Sequence, residues 1–299
     1  MKHVLTLIAP RDKEKLTEEH ITAATGALAD KGGHVFDKRW LSMGEACDIF
    51  FTTLPVDEAD KAVQERLKDL PVDAIVQTSE NRQKRLFISD MDSTIITVEC
   101  IDEIADFAGV KPKVADITER AMRGELDFAQ ALTERVGLLA GLEEKTLETV
   151  YVERVRFMPG ARELVATMRN NGAYTVLVSG GFEFFTSRVR TELGFHEDHS
   201  NKLEVANGKL TGKVIPPILD RNSKLQSLLH VTSARELGLS DSLAAGDGAN
   251  DLPMLLGAGL GVAYHAKPVV QQSARARINH CDLSALLFAQ GYTRDEFVV

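Results

Sequence analysis

A chain of 299 residues is long for one hydrophobic core, which predicts two or three structural units. Its 44% hydrophobic and 26% charged residues are those of a globular protein, and no apolar run is long enough to cross a bilayer. The formal charge of −9 weighs against nucleic acid as a partner, because phosphate backbones attract basic surfaces, and it leaves any anionic substrate to be held by a metal or a few placed cations. The cysteines, Cys47, Cys100 and Cys281, are odd in number and far apart, so a reduced cytoplasmic compartment is expected in place of a disulfide framework. With no Cys-x-x-Cys pair, zinc is not expected.

The run from His3 to Ile8 has a faint look of a signal peptide. Arg11-Asp12-Lys13-Glu14-Lys15 follows without a small-residue cleavage site, so a first β-strand is the expectation. Glu18 to Ala29 carries helical spacing and stops at Gly32-Gly33. Strands are expected around Val35 to Leu41 and Asp48 to Thr53, a helix over Ala59 to Leu70, and a strand over Val72 to Gln77. This βαββαβ order is the split ferredoxin-like motif, placed at residues 1–84 and followed by a polar linker, Asn81-Arg82-Gln83-Lys84-Arg85.

Beyond Arg85, short apolar runs at Leu86–Ser89, Tyr174–Val178, Ser242–Ala245 and Leu260–Ala263 alternate with helical segments. The fold class is therefore α/β, a Rossmann-like parallel sheet with helices on both faces over residues 85–299. A helical insertion at about 101–156 is too large for a simple crossover and predicts a cap over the sheet edge. Leu203 to Leu210 encloses Asn207-Gly208, a two-residue hairpin signal.

Four segments carry chemistry. Asp90-Met91-Asp92-Ser93-Thr94 follows the first buried strand, so two carboxylates one residue apart leave the sheet on the same side. Ser179-Gly180-Gly181 follows the second and offers a hydroxyl and flexible N–H groups ahead of a helix expected from Phe182 to Leu193. Lys224 follows Asn222-Ser223, a helix cap, where a cation opposes the macrodipole. Gly246-Asp247-Gly248-Ala249-Asn250-Asp251 brings two further acids after the third strand. Each segment alone also reads as an ordinary turn or cap, but turns have no reason to gather their acids at one edge.

Together these segments resemble the signature motifs of the haloacid dehalogenase superfamily of phosphotransferases, in order and spacing, across residues 85–299. Glu99, Ile101-Asp102-Glu103-Ile104-Ala105, Leu126-Asp127-Phe128 and Arg135-Val136 are similar to the branch that hydrolyses phosphoserine. The resemblance implies a phosphatase that splits O-phospho-L-serine into L-serine and phosphate, the last step of serine synthesis, with Asp90 as nucleophile, Asp92 as acid and base, and an aspartyl-phosphate intermediate. It implies Mg2+ held by Asp90, Asp247 and the Asp92 carbonyl; phosphate held by Ser179, Gly180 and Lys224; Asn250 on the substrate; and Asp251 orienting Lys224 or a metal-bound water. Arg135 lies within the apolar stripe of Phe128, Leu132, Val136 and Leu139, and is assigned to the substrate carboxylate, Glu99 to its ammonium, and Phe128 with Met122 to the lid. The alternatives are a phosphatase for another small amine-bearing phosphate, such as phosphoethanolamine or phosphohomoserine, and a non-catalytic amino-acid-responsive regulator. The first 84 residues resemble ACT-type regulatory domains in topology, which implies an amino-acid effector and pairing into a homodimer.

Overall fold

The computed structural model describes residues 1–299 except Asp12, Glu14 and Gly124, and the side chains of Met122 and Arg221. The assignment of Met122 to the lid therefore lies outside the described residues. The N-terminal elements are β1 (His3–Ile8), α1 (Glu18–Asp30), β2 (His34–Ser42), β3 (Ala46–Thr52), α2 (Val56–Leu67) and β4 (Asp73–Thr78), in one antiparallel sheet ordered β2-β3-β1-β4. Strand alternation divides the side chains between two cores. Leu5, Leu7, Ile49, Phe51 and Val76 pack with α1 and α2, while Ile8, Ala46 and Ile75 face the other way, into the core of the second sheet. Helix α2 starts and ends three residues earlier than its periodicity suggests, because Pro55, at φ −61, is set for helix entry and is followed by first-turn acids Asp57 and Glu58.

The rest of the chain comprises β5 (Leu86–Ser89), α3 (Cys100–Phe107), α4 (Lys111–Met122), α5 (Phe128–Gly137), α6 (Lys145–Arg154), α7 (Ala161–Asn170), β6 (Tyr174–Phe182), α8 (Glu183–Leu193), β7 (Glu197–Ala206), β8 (Lys209–Ile215), α9 (Arg221–Ala234), β9 (Ser242–Gly246), α10 (Leu252–Gly257), β10 (Leu260–Tyr264), α11 (Pro268–Ser273), β11 (Ala276–Ile278) and α12 (Ala285–Ala289). They form a seven-stranded sheet ordered β11-β10-β9-β5-β6-β7-β8. Its pairs are parallel except the β7–β8 hairpin. Phe87 points to one layer with α7 and α8; Leu86 and Ile88 point to the other with α9, α10 and α11, so the sheet is covered on both faces. The hairpin turns at Asn207 (φ 51) and Gly208 (φ 72), the left-handed pair its sequence anticipates. Strand β6 runs to Phe182, so α8 begins at Glu183, one residue later than expected. The cap of α9 is Asp220, which accepts from Asn222 N and Ser223 N, and not the Asn222-Ser223 pair.

Helices α3 to α6 form the insertion between β5 and α7. It is bonded to the hairpin through Gly141 N to Leu210 O (2.8 Å), Leu210 N to Leu142 O (2.9 Å) and Glu144 N to Gly208 O (2.9 Å).

The segment expected to be a linker is bonded on both sides. Arg82, 10% exposed, pairs with Asp48, 2% exposed, at 2.7 Å, and also donates to Thr6 Oγ1 and the carbonyl of Ala289. The Asp73 carboxylate accepts the N–H groups of Asn279, His280 and Cys281 at 2.8, 3.0 and 2.8 Å. Arg82→Ala leaves Asp48 buried without its cation, and should cost about 3–5 kcal/mol in urea denaturation; a loss under about 1 kcal/mol would mean that the pair is solvated.

Candidate active site

Strand β5 lies between β6 and β9, and the chain leaves β5 for β6 on one side and reaches β9 on the other. The crevice beyond the carboxyl ends of such strands is where open α/β sheets bind ligands. Asp90 follows β5, Ser179 and Gly180 lie in the last part of β6, and Asp247 follows β9, so three neighbouring strands deliver three of the expected motifs to one edge. Lys224 arrives from α9. Its Nζ lies 2.7 Å from Asp90 Oδ1 and 2.6 Å from Asp251 Oδ1.

Asp90, Asp247 and Asp251 each offer a carboxylate oxygen within 4.8 Å of the others. Asp251 thus joins the acids expected around a metal, while its second oxygen accepts from Gly248 N at 2.9 Å. The Asp92 carboxylate turns elsewhere: Oδ1 accepts from Cys100 N at 2.9 Å and Oδ2 from Ser179 Oγ at 3.0 Å. Oxygen donors from carboxylates suit a hard divalent cation and do not suit a soft one.

Burial sets the protonation of this cluster. It pushes Asp90 well above the usual carboxylate range, with Asp251 adding to the rise and Lys224 opposing it. Burial also raises Asp92, against the N–H of Cys100 and the hydroxyl of Ser179. Asp247 rises through burial and the charge of Asp251. For Lys224 burial disfavours the cation, but Asp251 and Asp90 outweigh it and hold the ammonium charged.

Ser93 takes a left-handed backbone (φ 56), a sparsely populated state for a serine. The turn sends Ser93 Oγ to Glu99 Oε1 at 2.7 Å and Thr94 Oγ1 to Asp247 Oδ1 at 3.2 Å. Glu99 keeps an exposed edge, yet protein crowds it; burial and the Asp92 and Asp247 carboxylates push it up to about 7, against Ser93 and Lys267. Lys267 and Thr94 were given no role from sequence. Lys267 lies downstream of any motif, and its N–H reaches the carbonyl of Asp247 at 3.1 Å.

From the insertion, the ring of Phe128 closes over Gly180, where an added Cβ would meet Phe128 Cζ at 3.1 Å. Arg135 is half-buried and, among the described residues, bonds only the carbonyl of Ala131 in its own helix, at 3.3 Å. It makes no ion pair among the described residues; burial lowers its pKa while Asp102 and Glu99 oppose that shift. Asn250 is half-buried in the Asp247–Asp251 loop.

A family model described as haloacid dehalogenase-like hydrolase matches residues 87–256. A phosphoserine phosphatase of Polaromonas sp. is 47% identical over 208 residues, 68% of this chain and 88% of that protein. The phosphoserine phosphatase of Saccharomyces cerevisiae is 37% identical over 308 positions, covering 99% of this chain and 98% of its own. Among solved structures, a probable phosphoserine phosphatase from Vibrio cholerae, unliganded form, is similar with a TM-score of 0.78 and 32% identity, over 99% of this chain and 88% of that one.

Glu99 gives this edge a pH signature. Its carboxyl moves from 4.5 to about 7 on folding, so the folded state binds more protons between those values and stability falls as pH rises through that window. In metal-free protein, Glu99→Gln should flatten the decline in thermal midpoint over that range. An unchanged slope would place the titration elsewhere.

Proposed function

This chain belongs to the haloacid dehalogenase-like hydrolases and is a phosphatase, and from that premise we propose that it hydrolyses O-phospho-L-serine to L-serine and phosphate through a phosphorylated Asp90, the last step of serine synthesis. The observation that carries the reading is the buried set of Asp90, Lys224, Asp251 and Asp247 beside the Asp92–Ser179 pair. Mutually repelling acids are costly to bury, and a packed core has no need of them.

A carboxylate approaching a phosphate dianion to ~4 Å meets repulsion of roughly 8 kcal/mol at an effective dielectric of 20. The carboxylate oxygens of Asp90, Asp247 and Asp251 fit a hard divalent cation, which we assign as Mg2+ and which supplies the neutralising charge when bound; resemblance to the family adds the Asp92 carbonyl as a further donor. Ser179 Oγ, the N–H of Gly180 and the ammonium of Lys224 hold the phosphoryl oxygens while charge shifts.

Asp90 attacks phosphorus, the P–O bond to the serine oxygen breaks, and Asp92 delivers its proton to that oxygen. Cys100 N and Ser179 Oγ hold the Asp92 carboxylate beside the site for that transfer. A water then attacks phosphorus, gives its proton to Asp92 and frees Asp90. Asp251 orients Lys224, and Asn250 faces the substrate from the same loop.

Arg135 and Glu99 set the choice of substrate. A half-buried guanidinium that makes no ion pair among the described residues suits a carboxylate from outside the chain, and Glu99 suits the ammonium. Phe128, whose ring lies over Gly180, closes the phosphate side of the crevice.

Phosphate release from O-phosphoserine should require added Mg2+ and disappear with Asp90→Asn while the fold persists; substantial residual turnover would remove the nucleophile assignment. Arg135→Ala should lower kcat/KM for O-phosphoserine by about 10–100-fold, the scale of about 1.5–3 kcal/mol for bonds between charged groups. Phosphoethanolamine, which has no carboxylate, should be hydrolysed equally by both proteins, and an equal loss on both would end the carboxylate role.

A further inference from the structure

Between Val178 and Phe182 the ladder from β6 to β7 is interrupted. Val178 pairs with His199 and Phe182 with Asn201, so Ser179, Gly180 and Gly181 face Ser200 alone. Extra residues on one strand lift its backbone out of the sheet and strip it of ladder partners. This bulge is what presents Ser179 and Gly180 to the crevice. Its carbonyls still need donors, because the site is buried.

Asn201 supplies one. The residue is 1% exposed, and its Nδ2 donates to the carbonyl of Gly180 at 2.9 Å. The same amide faces the segment ahead of α9: Oδ1 accepts from Leu219 N at 2.7 Å, and Nδ2 also reaches Leu219 O at 3.3 Å. Leu219 precedes Asp220, the cap of α9, whose carboxylate accepts Asn222 N and Ser223 N at 2.9 and 3.0 Å. Lys224 follows within that helix. One planar amide therefore joins the strand that presents Ser179 and Gly180 to the start of the helix that presents Lys224.

We propose that Asn201 is a positioning residue, which fixes the separation between the Ser179–Gly180 bulge and Lys224 at the span of one phosphoryl group. The proposal rests on the phosphatase reading above. Asn201 does not touch the substrate; it acts through the two backbone segments it ties. Its effect should accordingly fall on phosphate and spare the serine portion, which the insertion holds.

The test compares wild type with Asn201→Asp and Asn201→Ser. Inorganic phosphate binding is measured by calorimetry with Mg2+ present, and L-serine is measured as a product inhibitor. We expect phosphate affinity to fall by about 10-fold, the scale of one lost hydrogen bond. kcat/KM should fall by about 10²-fold, as for a sub-ångström to ångström misplacement of binding groups. Inhibition by L-serine should stay within about twofold, which uniform loosening of the site would not allow. In Asn201→Asp the introduced carboxyl cannot donate to Gly180 O when ionised. Lowering the pH protonates it and should recover phosphate affinity relative to wild type at the same pH.

Equal weakening of phosphate and L-serine, or unchanged phosphate binding in a folded variant, overturns the proposal. Failure of both variants to fold makes Asn201 a folding determinant and overturns it as well. If wild type releases no phosphate from O-phosphoserine, the substrate reading fails. The phosphate calorimetry needs no turnover and still decides the role of Asn201.

Discussion

Three carboxylates cannot share a buried pocket without a cation, and in this chain the cation is Lys224, within 2.7 Å of both Asp90 and Asp251. The arrangement explains several features that would otherwise look unrelated. The capping of α9 by Asp220 fixes the helix that delivers the ammonium. Gly248 N and Lys224 divide the two oxygens of Asp251 between them, so that side chain is held by backbone on one side and charge on the other. The sheet edge gathers negative charge against Lys224 within the cluster and Lys267 beside Asp247 and Glu99, a balance that leaves room for a further divalent cation and an anionic ligand.

Asp92 stands apart from this group although it is only two residues from Asp90. Alternation sends the two side chains off the strand together, but the left-handed turn at Ser93 and the N–H of Cys100 draw Asp92 toward Ser179. Two acids in one pentapeptide thus acquire different surroundings: one packed against an ammonium, the other against a hydroxyl and an amide. Different surroundings are what allow chemically identical side chains to take different parts in one reaction.

Much of this was legible from local patterns. β5 was read with the bounds it has, the Asn-Gly hairpin turns where its sequence says, and the order of acid, hydroxyl, lysine and acid along the chain reflects adjacency at one sheet edge. What escaped depends on partners remote in sequence. Nothing near Asn201 indicates that it bonds Gly180 and Leu219, nor does Arg82 carry a local sign of Asp48, 34 residues away. β11 has only three residues, too few to display alternation. β6 was read as ending at Val178, because Ser179-Gly180-Gly181 looks like a turn; a bulge keeps that glycine-rich stretch within the strand. Asp251 is expected to orient Lys224 or a metal-bound water; it bonds Lys224, and its carboxylate also lies within 4.8 Å of those of Asp90 and Asp247, a proximity that no local pattern announces.

Asp73 and Arg82 have a further consequence, for the timing of folding. Their partners at residues 279–281 and 288–289 lie more than 200 positions along the chain, at a separation of 208 for Asp73 and Cys281. Contacts this distant close slowly and late. During synthesis the first sheet can form on its own helices and Arg82 can reach Asp48, but the Asp73 carboxylate stays wet until residues 279–281 have left the ribosome. The first sheet can therefore dock on the second only after the segment 279–289 has been made.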